Sequence, residues 1–67
     1  MCRKIFIIRM SDGKEVARSC DWADALDCVD HHMWLNKLEH ITYKDEFNKR
    51  IFKVNNKPYM YIETRRI

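Results

Sequence analysis

The residues best suited to chemistry lie around a pair of histidines, His31 and His32. Cys28 precedes His32 by four positions, a spacing that puts a thiol and an imidazole on one helical face. Zinc takes about four such ligands, usually from paired short spacings on two elements. His31, His40 and Cys20 are not far off in sequence, but only one such pair occurs, and Cys20 lies at the far end of the helix from His32, so the set does not converge. We therefore expect no metal site and no cofactor.

The same histidines have acidic neighbours, Asp27 and Asp30, which could orient an imidazole as a general base. Efficient chemistry of this kind needs a pocket that excludes water, and the outer side of a helix does not supply one. The sequence contains no glycine-rich phosphate loop and no nucleophile motif. We expect a protein that is not an enzyme.

Charge is unevenly distributed along the chain. Residues 1–20 carry a net charge of +3, residues 21–40 carry −4 and residues 41–67 carry +4. The acidic segment holds four aspartates, whose carboxylates could imitate a phosphate backbone, but the row is short, and a solvated helix face is the simpler explanation. The sequence thus predicts an acidic helix between basic strands.

Basic and aromatic residues alternate in the last third of the chain, and single-stranded nucleic acids are held by aromatic stacking in a basic groove. The alternative is that the aromatics are core residues of ordinary basic strands. No known RNA-recognition motif occurs, and the acidic helix would be repelled from a groove. Nucleic-acid binding is therefore our second hypothesis, with these residues as its site: Tyr43, Lys44, Lys49, Arg50, Lys53, Lys57, Tyr59 and Tyr61.

The first twenty residues predict a β-hairpin. Residues 3–10 are rich in β-branched and aromatic types, and the pair Asp12 and Gly13 favours a two-residue type I′ turn before a returning strand over residues 15–20. That turn sets the register. It places Arg9 opposite Val16, Ile7 opposite Arg18 and Ile5 opposite Cys20 on one face, with Met10, Ile8 and Phe6 opposite Glu15, Ala17 and Ser19 on the other.

A helix follows, because Trp22, Ala25, Leu26, Val29 and Met33 recur at helical spacing. Asp21 is the expected N-cap. We expect the helix to end between Asn36 and His40, since no glycine marks its end.

Three short strands complete the pattern, over residues 41–44, 49–54 and 58–64, with a turn at residues 55–57. An even-numbered loop there puts Phe52 and Val54 on the same face as Tyr59 and Tyr61. The predicted fold class is α+β, in the order β-β-α-β-β-β, with one helix packed on one face of a four- to five-stranded antiparallel sheet. We expect a single domain over residues 1–67.

The cysteines and the apolar runs predict a location. Cys2, Cys20 and Cys28 are odd in number and follow no disulfide framework, so we expect reduced thiols. The apolar run from Ile5 to Ile8 is too short for a signal peptide or a membrane span. The expected location is the cytoplasm, with no membrane contact.

The leading functional hypothesis is a protein-protein interaction module. One helix covers only one face of a sheet, so the other face should expose apolar residues beside arginines, which is typical of an interface. The alternative is that the long basic side chains cover the apolar residues. The predicted site comprises Ile5, Ile7, Arg9, Val16 and Arg18 on that face, and Trp34, Leu35 and Leu38 near the helix end.

The expected partner is a host factor or a second copy of the chain, which would make a homodimer. Small accessory proteins of phages and plasmids that inhibit or modulate a host factor have this general composition.

Overall fold

The computed structural model describes residues 3–67. This part of the chain forms five strands and one helix, with all neighbouring strands antiparallel in the order β2-β1-β5-β4-β3. The predicted α+β fold is confirmed. The elements are β1 Lys4–Met10, β2 Glu15–Ser19, α1 Trp22–Leu35, β3 Ile41–Glu46, β4 Lys49–Val54 and β5 Lys57–Arg66.

The helix begins where the sequence predicts and ends at Leu35, one residue before the predicted range of Asn36 to His40. Asp21 is the N-cap, and its carboxylate accepts a hydrogen bond from the backbone N–H of Ala23 at 3.1 Å. Lys37, just beyond the C-cap Asn36, has a φ of 53°. The backbone N–H groups of Lys37 and Leu38 donate to the carbonyls of Trp34 and Met33, which is the Schellman arrangement. The chain therefore reverses at Lys37 without a glycine.

The β1–β2 hairpin forms with a different turn from the predicted one. The backbone N–H of Met10 donates to the carbonyl of Lys14 at 2.9 Å, so the loop has three residues and Gly13 adopts a φ of 93°. Arg9 consequently pairs with Glu15 and not with Val16. The unpaired Val16 forms a bulge that restores the predicted register. Farther along, Ile8 faces Ala17, Ile7 faces Arg18 and Phe6 faces Ser19, as expected.

The β4–β5 hairpin corrects the predicted face of the tyrosines. Asn55 and Asn56, both at positive φ, form the two-residue loop, but an extra residue in β5 places Phe52 opposite Met60 and leaves Tyr59 in a bulge. The prediction that Phe52 shares a face with Tyr61 is therefore wrong. A bulge cannot be read from alternation, because it changes the face of every residue beyond it.

The core lies between the helix and the sheet. It contains Ile8, Ala25, Val29, Met33, Phe52, Met60 and Ile62. The helix backbone lies closest to β1 and β2, whereas all six residues of β3 are exposed. The helix thus covers one half of its sheet face and leaves the β3 side open.

The cysteines differ from expectation. Cys20 is disulfide-bonded, and Cys28 is a half-buried free thiol packed against the core. The prediction of three reduced thiols is therefore wrong at Cys20. Cys2 lies outside the described residues. Over residues 3–67, no helix is long and apolar enough to cross a membrane.

Candidate functional site

We call the sheet face opposite the helix the open face, because the helix lies on the other side. Over β1, β2 and β5, ion-paired side chains lie on this face. Glu63 accepts hydrogen bonds from Arg9 Nε at 3.1 Å and from Arg65 Nε at 3.1 Å. On β2, the guanidinium of Arg18 donates twice to Glu15, at 2.7 and 2.8 Å. These long side chains lie over the apolar residues of β1, and Ile7 is fully buried.

This arrangement changes the predicted sheet-face site. The pairing brings Ile5, Ile7, Arg9 and Arg18 onto one face, but Ile5 and Arg9 are half-buried and Ile7 is inaccessible. Val16 is half-exposed at the bulge of the edge strand. The prediction that Ile7 is an exposed contact residue is therefore wrong, because the neighbouring guanidinium groups cover it.

The carboxylates of these ion pairs have lowered pKa values. Hydrogen bonding to Arg18 is the main cause for the pKa of Glu15. Burial acts to raise the pKa of Glu63, but hydrogen bonds from Arg65 and Arg9 together outweigh it. Each of the three arginines in the covered half is thus paired with one of the two glutamates, which leaves a net charge of +1.

The other half of the open face carries lysines. Strand pairing places Lys44, Lys49 and Lys53 on this face with Ile51 and Tyr61. The Nζ atom of Lys49 lies 5.2 Å from the centre of the Tyr61 ring. None of the three lysines forms an ion pair with another side chain of residues 3–67. We call Lys44, Lys49, Lys53 and Tyr61 the lysine strip.

The remaining residues of the nucleic-acid hypothesis lie elsewhere. Arg50 is on the helix side, with its guanidinium 4.3 Å from the Tyr43 ring centre and 5.1 Å from that of Trp22. It also donates twice to Asp45, which lowers the pKa of that carboxylate. Tyr59 is turned towards the helix by its bulge.

The hydroxyl of Tyr59 is 3.1 Å from His32 Nε2. Lys57 is exposed beside the β4–β5 turn. The structure therefore divides the predicted nucleic-acid site between two faces of the sheet.

A basic and aromatic cavity lies at the N-terminal end of the helix, near the β3–β4 turn. It has a volume of about 780 Å³ and is lined by Trp22, Phe47, Lys49, Arg50 and Arg66 among others. Phe47 is fully exposed at its rim. Arg50 and Asp45 both line this cavity, and the hydrogen bonds between them already pair their charges.

Large apolar side chains are exposed together at the other end of the helix. Trp34 is 74% exposed and Leu35 is 59% exposed, and Ile41 at the start of β3 is 42% exposed. Trp34, Leu38 and Ile41 line one shallow cavity of about 490 Å³. We call Trp34, Leu35, Leu38 and Ile41 the helix-end patch.

The Schellman ending explains the shape of the helix-end patch. The helix stops at Leu35, so Trp34 and Leu35 remain on its outer side, while Leu38 folds back and packs against the core beside Met33. Leu38 is therefore half-buried and forms the floor of the cavity. The imidazole of His31 stacks on the Trp34 ring, with ring centres 6.3 Å apart.

Sequence reasoning missed Ile41 as a member of this patch. Its β-branched side chain indicated a strand, but nothing in the sequence placed that strand next to the helix end. The sheet order does so, because β3 is an edge strand that begins directly after the turn beyond the helix.

The histidines and the free cysteine form no site. Within the described residues, no group of three or more His, Cys, Asp or Glu side chains is placed to hold a metal ion. His31 lies on Trp34 and His32 contacts Tyr59, so each of these two histidines has an aromatic neighbour.

Comparisons of the chain with family models, curated proteins and solved structures gave no match.

Proposed function

We propose that this chain is a small protein-binding module whose contact site is the helix-end patch. One observation carries the proposal: Trp34 is a large apolar side chain, mostly exposed, and it shares a concave surface with Leu38 and Ile41, while the exposed Leu35 is its neighbour at the end of the helix. Tryptophan is enriched among the residues that dominate binding energies, and such residues sit in pockets ringed by weaker contacts.

The energies involved are sufficient for recognition. Full burial of one large apolar side chain stabilises a complex by about 1.5–3 kcal/mol. Asp30 and Lys37 flank the cavity and supply a polar rim of both signs. The covered half of the open face is a weaker candidate, since its arginines are already paired with Glu15 and Glu63.

Affinity capture with the immobilised chain tests this proposal. Trp34→Ala should reduce recovery of the bound protein about tenfold or more, since loss of a central aromatic typically costs 2 kcal/mol or more. Phe47→Ala is the matched control, because Phe47 is also a fully exposed aromatic but lies at the opposite end of β3. Equal recovery with both variants would remove the helix-end patch from consideration.

The finer expectations about the partner and the setting stay predictions. They are that the partner is a host factor, that the chain is an inhibitory accessory protein of a phage or plasmid, and that it is not an enzyme. The expectation of a cytoplasmic location depends on reduced thiols, and the disulfide at Cys20 removes that basis.

The lysine strip supports a second candidate function, binding of single-stranded nucleic acid. Its three ammonium groups form no ion pair within residues 3–67, although Glu46 and Glu63 lie opposite Lys49 on the neighbouring strands, and Tyr61 lies on the same sheet face. Unpaired cations beside an aromatic ring are what a phosphate backbone with stackable bases requires.

A titration with labelled single-stranded DNA and RNA at several salt concentrations tests this candidate. Three phosphate contacts predict a slope of about −2 for log affinity against log salt. Lys49→Ala should flatten that slope, whereas Lys14→Ala in the β1–β2 turn, away from the strip, should leave it unchanged. Absence of binding at low salt would exclude the nucleic-acid function and leave the protein-binding proposal untouched.

A further inference from the structure

The two edges of the sheet differ in how well they could accept another strand. β2 is interrupted by the bulge at Val16, and such irregularities protect an edge from pairing. β3 pairs with β4 in unbroken register from Ile41 to Glu46, and all six of its residues are exposed. β3 is therefore the regular, uncovered edge.

The ladder identifies which backbone groups β3 presents outwards. The N–H of Asn55 donates to the carbonyl of His40 at 3.3 Å, so the backbone groups of His40 point towards β4. Because these directions alternate along an antiparallel strand, the N–H and C=O groups of Ile41, Tyr43 and Asp45 point away from the sheet. They are the groups that an added strand would bind.

From this edge and the helix-end patch we infer that a second copy of this chain is the partner, joined by antiparallel pairing of the two β3 strands. The inference rests on the proposed function, because it names the occupant of the helix-end patch. Antiparallel pairing of identical edges requires a two-fold axis perpendicular to the sheet, which keeps both helices on the same side. The two helix-end patches then face each other beside the axis.

The side chains of β3 select one register. Pairing centred on Lys44 opposes two lysines, and pairing centred on Tyr43 puts Ile41 against the carboxylate of Asp45. Pairing centred on Thr42 instead opposes two threonines and places each Ile41 against Tyr43 of the other copy. Aromatic pairs with β-branched residues are favourable, and each Ile41–Tyr43 pair exchanges two backbone hydrogen bonds.

The charges around the helix-end patch also fit a second copy. Asp30 and Lys37 flank the same cavity and carry opposite charges, and neither forms an ion pair with the side chains of residues 3–67. A surface with one acid and one base at its rim is complementary to itself under a two-fold rotation. A strongly acidic partner would attract Lys37 but repel Asp30, and a strongly basic partner would do the opposite.

The contact needs the area of the helix-end patch as well as the strand edge to reach the size of a stable interface. Such interfaces take about 800 Å² from each partner, roughly a sixth of the 5110 Å² that the chain exposes. In the register centred on Thr42 only residues 41–43 of β3 pair with their counterparts, because β3 begins at Ile41, so the helix-end patch must supply most of that area. The dimer would form one continuous sheet of ten strands, twice the five of each copy.

Disulfide cross-linking tests the register directly, with Cys28→Ala as the background that removes the free thiol. In the proposed dimer, residue 42 lies opposite residue 42 with Cβ atoms about 4.5–5.5 Å apart. Thr42→Cys should therefore cross-link two chains rapidly at micromolar concentration. Lys44→Cys is the matched control, because its two copies would lie about 14 Å apart along the strands.

Sedimentation equilibrium completes the test with the unmodified chain and with Trp34→Ala. We expect a mass approaching twice that of one chain at micromolar concentration, and a dissociation constant raised about tenfold or more by Trp34→Ala. A folded chain that stays monomeric at millimolar concentration, or equal cross-linking of the two cysteine variants, would overturn the second copy as partner. The protein-binding proposal would then still be judged by the capture of another protein.

Discussion

A single carboxylate, that of Glu63, links two arginines on the open face of the sheet. Glu63 receives hydrogen bonds from Arg9 and Arg65, and Arg9 also donates to the carbonyl of Gly13 at 3.0 Å. One residue of β5 thereby connects the end of β1, the first turn and the end of its own strand. The side chains held in this way cover Ile7, so a feature of the surface protects a residue of the interior.

Replacing this carboxylate should change how stability depends on pH. The folded-state pKa of Glu63 is lowered, because the two guanidinium hydrogen bonds outweigh the effect of burial. Its stabilisation is then present above the ordinary carboxyl pKa near 4.5 and is lost as the pH falls through the lower folded value. Glu63→Gln should be less stable than the parent chain by about 1 kcal/mol at pH 7.

Urea denaturation at a series of pH values between 7 and 2.5 measures this effect. The parent chain should lose the difference as the solution is acidified, so that the two curves converge at low pH. A constant offset between parent and variant at every pH would mean that Glu63 contributes through packing and not through its charge.

At the scale of the elements, the C-terminal end of α1 determines which apolar side chains are exposed beside it. Lys37 adopts positive φ where glycine is the usual choice, and the two backbone hydrogen bonds around it fix the reversal. The same reversal leaves Trp34 and Leu35 exposed and returns Leu38 to the core. The position of this helix end therefore creates the helix-end patch.

Substitution at this reversal should stabilise the protein. A non-glycine residue at positive φ costs roughly 1 kcal/mol, so Lys37→Gly should raise the free energy of unfolding by about 0.5–1 kcal/mol. Lys57→Gly is the matched control, since Lys57 lies in a strand and glycine weakens strands. Thermal unfolding of both variants measures the contrast. A lower melting temperature for Lys37→Gly would show that the lysine side chain stabilises the helix end more than its backbone strain destabilises it.

On the scale of the whole molecule, the position of β5 controls what is exposed. This ten-residue strand pairs with both β1 and β4, and so it joins the β1–β2 pair to the β3–β4 pair. β2 and β3 become the two edges, and the helix that connects them lies over the β2 side. The β3 edge and the helix end are left adjacent and uncovered, which is why the proposed contact surface lies there.

The apolar residues of β1 are buried on both faces of the sheet, but by different means. On the helix side, Ile8 is covered by apolar packing, and on the open face Ile7 is covered by charged side chains. A second layer of secondary structure is therefore unnecessary over β1. Within residues 3–67, the lysine strip on one face of the β3–β4 half remains available, as do Tyr43 and the neighbouring helix-end patch on the other.

Local patterns in the sequence determined the types of the elements and most of their bounds. Apolar spacing specified the helix, Asp21 specified its start, and β-branched runs with turn residues specified five strands. These signals act over a few neighbouring residues, so a single sequence contains them. Trp34 and Leu35 were identifiable for the same reason, because they fall off the apolar stripe of the helix.

Tertiary structure alone decided the positions of the bulges, the order of the strands and the accessibility of the predicted site. The bulge at Tyr59 moves Tyr61 to the face opposite Phe52, and the bulge at Val16 offsets the three-residue turn, without any mark in the local pattern. Strand order depends on pairing between distant segments, and it moves Ile41 to the helix end. Ile7 and Trp34 are both apolar residues of predicted interface regions, yet three arginines and two glutamates gathered from three strands bury the first, while the edge position of β3 leaves the second exposed.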